Sequence, residues 1–184
     1  MTNPDSRPLI DCVEARPGAY IGLTPCPGGD RFPSGRQPWQ RDLGADFDVM
    51  AAWGAAAVVT LLQASELSRP SLAEMRFHAE RRGMEWHHLP IRDQAVPTRD
   101  FEASWPAVAD RLHALLEQRR NVLLHCLGGL GRSGMIAARL LVEIGEEPRA
   151  AIQRVRHSRP GAIETAAQET YVLACRRREP PAPA

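Results

Sequence analysis

Between a short apolar run, Asn121-Val122-Leu123-Leu124-His125, and a stretch of helical periodicity, Ser133 to Ile144, lies the connection Cys126-Leu127-Gly128-Gly129-Leu130-Gly131-Arg132. The run has the length of a buried strand and the stretch that of a helix, so the chain must turn from one into the other within a handful of residues. Backbone amides converge at such a junction. Three glycines let the turn take positive φ and aim N–H groups inward at the positive end of the helix, which forms an anion nest. The same field favours a thiolate, so Cys126 reads as a nucleophile that needs no dedicated base. Arg132, at the helix start, can fork two N–H bonds onto the equatorial oxygens of a phosphoryl group, which a lysine point charge does less well. Leu127, Gly128, Gly129, Leu130, Gly131 and Arg132 are therefore the expected phosphate-binding set.

The rest of the chain alternates. Strands are predicted over Tyr20 to Leu23, Ala57 to Leu62, Glu85 to Leu89 and Val122 to His125. Helices are predicted over Arg41 to Trp53, Ser71 to Arg82, Phe101 to Arg120, and residues 133–144, 148–158 and 165–177. Strands alternating with helices predict a single α/β domain with a mainly parallel central sheet of about four or five strands, covered by helices on both faces. Ligands of such sheets bind beyond the carboxyl ends of the strands, where the cysteine loop falls. Residues 1–16 read as a flexible lead, 17–178 as the domain and 179–184 as a disordered tail. Pro25 to Pro38 is rich in proline and glycine and reads as a long surface loop.

His125-Cys126, five residues, then Arg132-Ser133 resembles the signature of cysteine-dependent protein tyrosine phosphatases, in particular the small dual-specificity branch and, within it, the kinase-associated type. Two further segments agree. His88-Leu89-Pro90-Ile91-Arg92-Asp93, followed by Pro97, resembles that family's general-acid loop, and Gly161-Ala162-Ile163-Glu164-Thr165 with Gln168 and Tyr171 resembles its segment after the active site. The likeness runs from about Pro17 to Tyr171 and is strongest after Val58. It implies a dual-specificity phosphatase fold and a phosphocysteine intermediate on Cys126, with Asp93 as general acid and then base. It also implies that Ser133 eases the departure of the sulfur, that His125 holds the loop, and that Gln168 positions the hydrolytic water. The expected substrate is a phosphoprotein or phosphopeptide carrying phosphotyrosine, phosphoserine or phosphothreonine. The loop lacks the lysines by which lipid-phosphate relatives meet extra phosphates, which favours a monoester.

Each assignment has a plainer competitor. A cysteine after a strand is commonly a small buried hydrophobe, but here the flanking residues weaken that reading. Asp93 competes with a loop-capping role, and Asp100 is a rival acid. His87 and His88 suggest a metal, yet neighbouring residues of a strand face opposite ways, so a structural reading is favoured and no metal or cofactor is expected. Arg154, Arg156, Arg159 and Arg176 to Arg178 read as solvated helix faces, with Arg156 and Arg159 the two that could approach the pocket. Two other functions stay open beside catalysis: a phosphoprotein-binding module without turnover, and other thiol chemistry such as redox sensing, sulfur transfer or arsenate reduction. The last would want Cys26 or Cys175 within reach of Cys126.

The 184 residues, 43% hydrophobic and 24% charged, suffice for one core. A net charge of +1 argues against a nucleic-acid or membrane-surface partner. No apolar run approaches the ~20 residues of a membrane span. The opening Met1-Thr2-Asn3-Pro4-Asp5 does not read as a signal peptide, the four cysteines follow no zinc spacing, and a catalytic thiolate wants reducing surroundings, so a cytoplasmic location is expected. No residue pattern assigns an oligomeric state.

Overall fold

A computed structural model describes residues 10–31, 39–40, 42–67 and 71–178. Five strands form the main sheet: β1 (Asp11–Arg16), β2 (Ala19–Thr24), β5 (Ala55–Thr60), β6 (Glu85–His88) and β7 (Asn121–His125). Their spatial order is β1-β2-β7-β5-β6, with β1 antiparallel to β2 and every other pair parallel. A separate pair, β3 (Asp30–Arg31) and β4 (Trp39–Gln40), is antiparallel. Six helices follow the alternation: α1 (Leu43–Ala52), α2 (Leu72–Glu80), α3 (Arg99–Glu117), α4 (Gly131–Glu143), α5 (Pro148–Ser158) and α6 (Ala166–Ala174).

The central strands are apolar at successive positions because both of their faces are covered. All six residues of β5 are buried. Val58 and Leu123 point to Phe47 and Met50 of α1 and Met75 and Ala79 of α2. Val59, Val122 and Leu124 point the other way, into the larger cluster built with Phe101, Trp105 and Leu112 of α3 and Ile136 and Leu140 of α4. A buried polar cluster joins α3 to α4: Glu143 accepts from Trp105 Nε1 at 2.7 Å, His113 Nε2 at 2.9 Å and Arg139 Nε at 2.8 Å. Burial works against the charge of Glu143, but these three donors outweigh it and keep the carboxyl below its ordinary value.

Local signals set the helix ends. Asp42 caps α1 and Thr98 caps α3 through their side chains, and Glu147 caps α5 ahead of Pro148. Ser71 with Glu74, and Thr165 with Gln168, form reciprocal capping boxes at α2 and α6. The start of α4 differs, since its N-cap Leu130 offers no side-chain acceptor.

Two expectations are corrected. Of the lead expected over residues 1–16, Asp11–Arg16 is β1 instead; it pairs with β2 and buries Val13. Residues 1–9, like the tail over 179–184, lie outside the described residues. The loop expected on the surface from Pro25 to Pro38 begins buried, because Cys26 N donates to Leu127 O at 3.0 Å and draws Pro25 to Pro27 under the cysteine loop. Residues 32–38 lie outside the described residues.

Candidate active site

Four parallel strands, β2, β7, β5 and β6, end on the same side of the sheet, and each delivers part of one site. From β7 the chain runs through His125 into Cys126 and the glycine turn, then directly into α4. Gly129 has φ +68 and abuts the end of β2; a Cβ there would lie 2.4 Å from the Thr24 carbonyl carbon and 2.6 Å from Pro25 N. Backbone fills that space, so only glycine fits. A Cβ on Gly131 would fall 2.3 Å from Glu164 Oε2. The loop is tied down on its outer side by Arg159, whose Nη2 donates to Gly128 O at 2.9 Å while Nη1 meets Asp11.

Cys126 is 3% exposed at the base of this loop, and its Sγ lies 3.5 Å from the fully buried Ser133 Oγ. Leu127 beside it is 53% exposed and gives the rim an apolar edge. His125 is buried beneath. Trp86 Nε1 donates to Thr60 Oγ1 at 3.0 Å, and that hydroxyl lies 2.7 Å from His125 Nε2. Its other ring nitrogen, Nδ1, is buried and makes no hydrogen bond among the described residues.

Burial pushes the His125 imidazole down to about 3, only partly opposed by the neighbouring Cys126 backbone. An unfolded histidine protonates near ~6.5. Below that pH the unfolded chain binds a proton that the folded chain refuses, so stability falls as pH drops toward 3, by about 2 kcal/mol at pH 5 from this group. The urea midpoint of the wild type should therefore fall more between pH 7 and pH 5 than that of His125→Asn. Equal falls would assign the acid sensitivity to carboxylates such as Glu143.

Arg132 is 1% exposed and reaches across to the other two strand ends. From the turn after β5 (Ala64–Glu66, 3₁₀), Glu66 accepts from Arg132 Nη1 at 2.9 and 2.7 Å, and Nη1 also donates to Ile91 O at 3.0 Å. From the loop after β6, Asp93 Oδ1 stands 3.0 Å from Nη2. That contact is an ion pair without hydrogen-bond alignment, so among the described residues the buried Nη2 makes no hydrogen bond. Burial works against the guanidinium charge, and the Glu66 hydrogen bonds with the charges of Cys126, Glu66 and Asp93 more than offset it, holding the group above its ordinary value.

Asp93 is 57% exposed on a turn closed by Ala95 N donating to Arg92 O at 3.1 Å, with Gln94 at φ 56. Asp100, the rival acid, lies instead on the exposed first turn of α3. Gln168 is fully buried beside Gly131, and its amide is engaged with the backbone at Glu164, Thr165 and Ala95. His87 and His88 are held structurally: His87 Nε2 lies 3.5 Å from Glu85 Oε2, and His88 bonds Leu62 O at 2.8 Å and stacks on Trp86. Arg156 bonds Ala162 O, Ile163 O and Glu169, so it braces the segment after α5.

Glu66, Thr60, Trp86 and the bracing role of Arg159 were invisible to the reading of the sequence. One signal was available for Glu66: it follows a parallel strand's carboxyl end, where side chains converge. The other two cysteines near the core differ in their setting. Cys26 packs with Phe47 and Met50 on the opposite face of the sheet, and burial pushes the Cys175 thiol up to about 11.

Residues 39–172 match the family model of the Swiss Army Knife protein, DSP-PTPase phosphatase domain. Cyclin-dependent kinase inhibitor 3 of Rattus norvegicus is 31% identical over 156 residues, 83% of this chain and 70% of that protein. Protein tyrosine phosphatase PRL-1 of Leishmania major is 36% identical over 88 residues, 45% of this chain and 50% of its own. Among solved structures, kinase associated phosphatase with serine in place of its catalytic-site cysteine superposes with a TM-score of 0.74 at 28% identity, covering 91% of this chain and 93% of that one. Tk-PTP in the active form gives 0.63 at 29%, covering 89% and 93%.

Proposed function

Because the chain belongs to the dual-specificity-type protein tyrosine phosphatase domains, and so to the cysteine-dependent phosphatases, we propose that it dephosphorylates protein side chains by passing the phosphoryl group through Cys126. One observation carries the residue assignments. A thiol, the uncapped amides of α4 and an unspent, buried Arg132 Nη2 all meet within one loop. Donors preorganised in this way stabilise the charge spread over a phosphoryl group in flight.

In the first step Sγ attacks phosphorus in line, the S–P bond forms as the P–O bond breaks, and Asp93 gives its proton to the leaving oxygen. Loop amides and Arg132 Nη2 hold the three equatorial oxygens. In the second step a water attacks the phosphocysteine, Asp93 takes the water's proton, and Ser133 Oγ hydrogen-bonds the departing sulfur. His125 serves the loop from below as a neutral ring. The uncharged loop and the exposed Leu127 suit a monoester on a protein segment, whether tyrosine, serine or threonine, better than a polyphosphorylated headgroup.

Among the described residues no helix is long and apolar enough to cross a membrane. All four cysteines are thiols rather than disulfide-bonded. Free thiols around a cysteine nucleophile suit a reducing compartment, and we assign the protein to the cytoplasm on that ground.

Asp93→Asn tests the acid assignment. Its kcat/KM should fall about 10²-fold on phenyl phosphate, whose leaving group needs a proton, and little on 2,4-dinitrophenyl phosphate. A uniform loss across both esters would transfer the role to another carboxyl, Asp100 first.

A further inference from the structure

The cap of α6 holds more than its own helix. Within the capping box, Gln168 N donates to Thr165 Oγ1 at 3.2 Å, and Gln168 Oε1 accepts from Glu164 N at 3.0 Å and Thr165 N at 3.4 Å. The remaining donors cross to the loop that carries Asp93. The Thr165 hydroxyl donates to Gln94 O at 3.5 Å, and Gln168 Nε2 donates to Ala95 O at 3.3 Å. The amide can sit only this way round, since its oxygen faces two N–H groups and its nitrogen faces a carbonyl.

What these bonds restrain is a strained turn. Gln94 sits in the left-handed region without being glycine, a conformation that persists only where the surroundings enforce it. Gln168 is fully buried, so no solvent replaces its bond to Ala95 when the donor is removed. Both acceptor sites of its oxygen are occupied, which leaves none to take a proton from an attacking water.

We propose that Gln168 is a positioning residue for the acid rather than for the hydrolytic water: with Thr165 it latches the turn at 92–95 and so keeps Asp93 beside Arg132. The inference rests on Asp93 being the general acid. It predicts that in kcat/KM, which reports the steps up to phosphocysteine, Gln168 matters only where the leaving group needs a proton.

Gln168→Glu separates latch from cap. A carboxylate still accepts from the amides of residues 164 and 165, as glutamate does in capping boxes, but cannot donate to Ala95 O. Thr165→Asp does the same at the other bond, keeping an N-cap acceptor and losing the donor to Gln94 O. The measurement is kcat/KM across aryl phosphates of rising leaving-group pKa, in both variants and in each combined with Asp93→Asn, together with quench-flow detection of phosphocysteine. An added carboxylate near the loop shifts every ester alike, so the slope is the readout.

Each variant should steepen the dependence on leaving group, losing about tenfold on phenyl phosphate and little on 2,4-dinitrophenyl phosphate. Neither should steepen it further once Asp93 is asparagine. A slope unchanged in both variants, or more phosphocysteine than Asp93→Asn itself accumulates, overturns the latch while a steep Asp93→Asn leaves the acid assignment standing. A flat Asp93→Asn overturns the acid assignment and the latch with it.

Discussion

Cys126→Ser is expected to lose about 10⁵-fold or more in kcat on para-nitrophenyl phosphate, with phosphate or tungstate still bound. The two halves of this result have separate causes. A serine hydroxyl stays protonated in a nest that would stabilise a thiolate, and no base within the loop can take its proton; Ser133 Oγ, 3.5 Å from Sγ, is itself a hydroxyl. Anion binding depends on the loop amides and Arg132, none of which the substitution touches. The side chain is 3% exposed and loses little volume, so folding should be preserved. Turnover within tenfold of wild type in metal-free buffer would sink the proposed mechanism. Titration with tungstate tests the second half, and loss of binding together with turnover would mean that the loop had collapsed.

Arg132→Lys, conservative in charge, is expected to cost about 10³-fold in kcat/KM. The guanidinium spans three partners at once, with Glu66 and Ile91 O on Nη1 and Asp93 beside Nη2. An ammonium can meet Glu66 or the phosphoryl group, but it lacks the fork that serves both. The consequence reaches stability as well, because Glu66 is only 19% exposed and would keep its charge without a matched donor. The variant's urea midpoint should therefore fall along with its rate. Activity within tenfold of wild type would show that Arg132 contributes charge alone.

What could be read from the sequence follows from how local each feature is. The strand, turn and helix around Cys126 are consecutive, so periodicity and three glycines revealed them together. The position of Asp93 beside Arg132 was within reach of the family resemblance, through the short Pro-Ile-Arg-Asp segment next to a strand. Glu66 was not, since it stands 66 residues before Arg132 and meets it only because β5 and β7 are neighbours in the sheet. The strand β1 escaped because, as an antiparallel edge, its inward side is only Val13 and the half-buried Ala15, an alternation too short to stand out. For Gln168 the sequence pointed to the right neighbourhood; the direction of its amide depends on which backbone groups lie opposite, and those come from two distant loops. Helix ends shifted by a few residues for a related reason: Asp42 and Thr165 lie just outside helices whose predicted spans included them.

The convergence of four parallel strand ends also sets the order in which the site is completed as the chain grows. Thr60, Glu66, Asp93, Cys126, Arg132 and Gln168 reach the site from successive crossovers, so a growing chain released at residue 125 would hold most of the sheet and no nucleophile. A chain ending before Gln168 would carry Cys126 and Arg132 but, on the latch proposed above, an Asp93 not yet anchored. On the proposed mechanism the site is completed in stages, the nucleophile and arginine after β7 and the latch on the acid with α6.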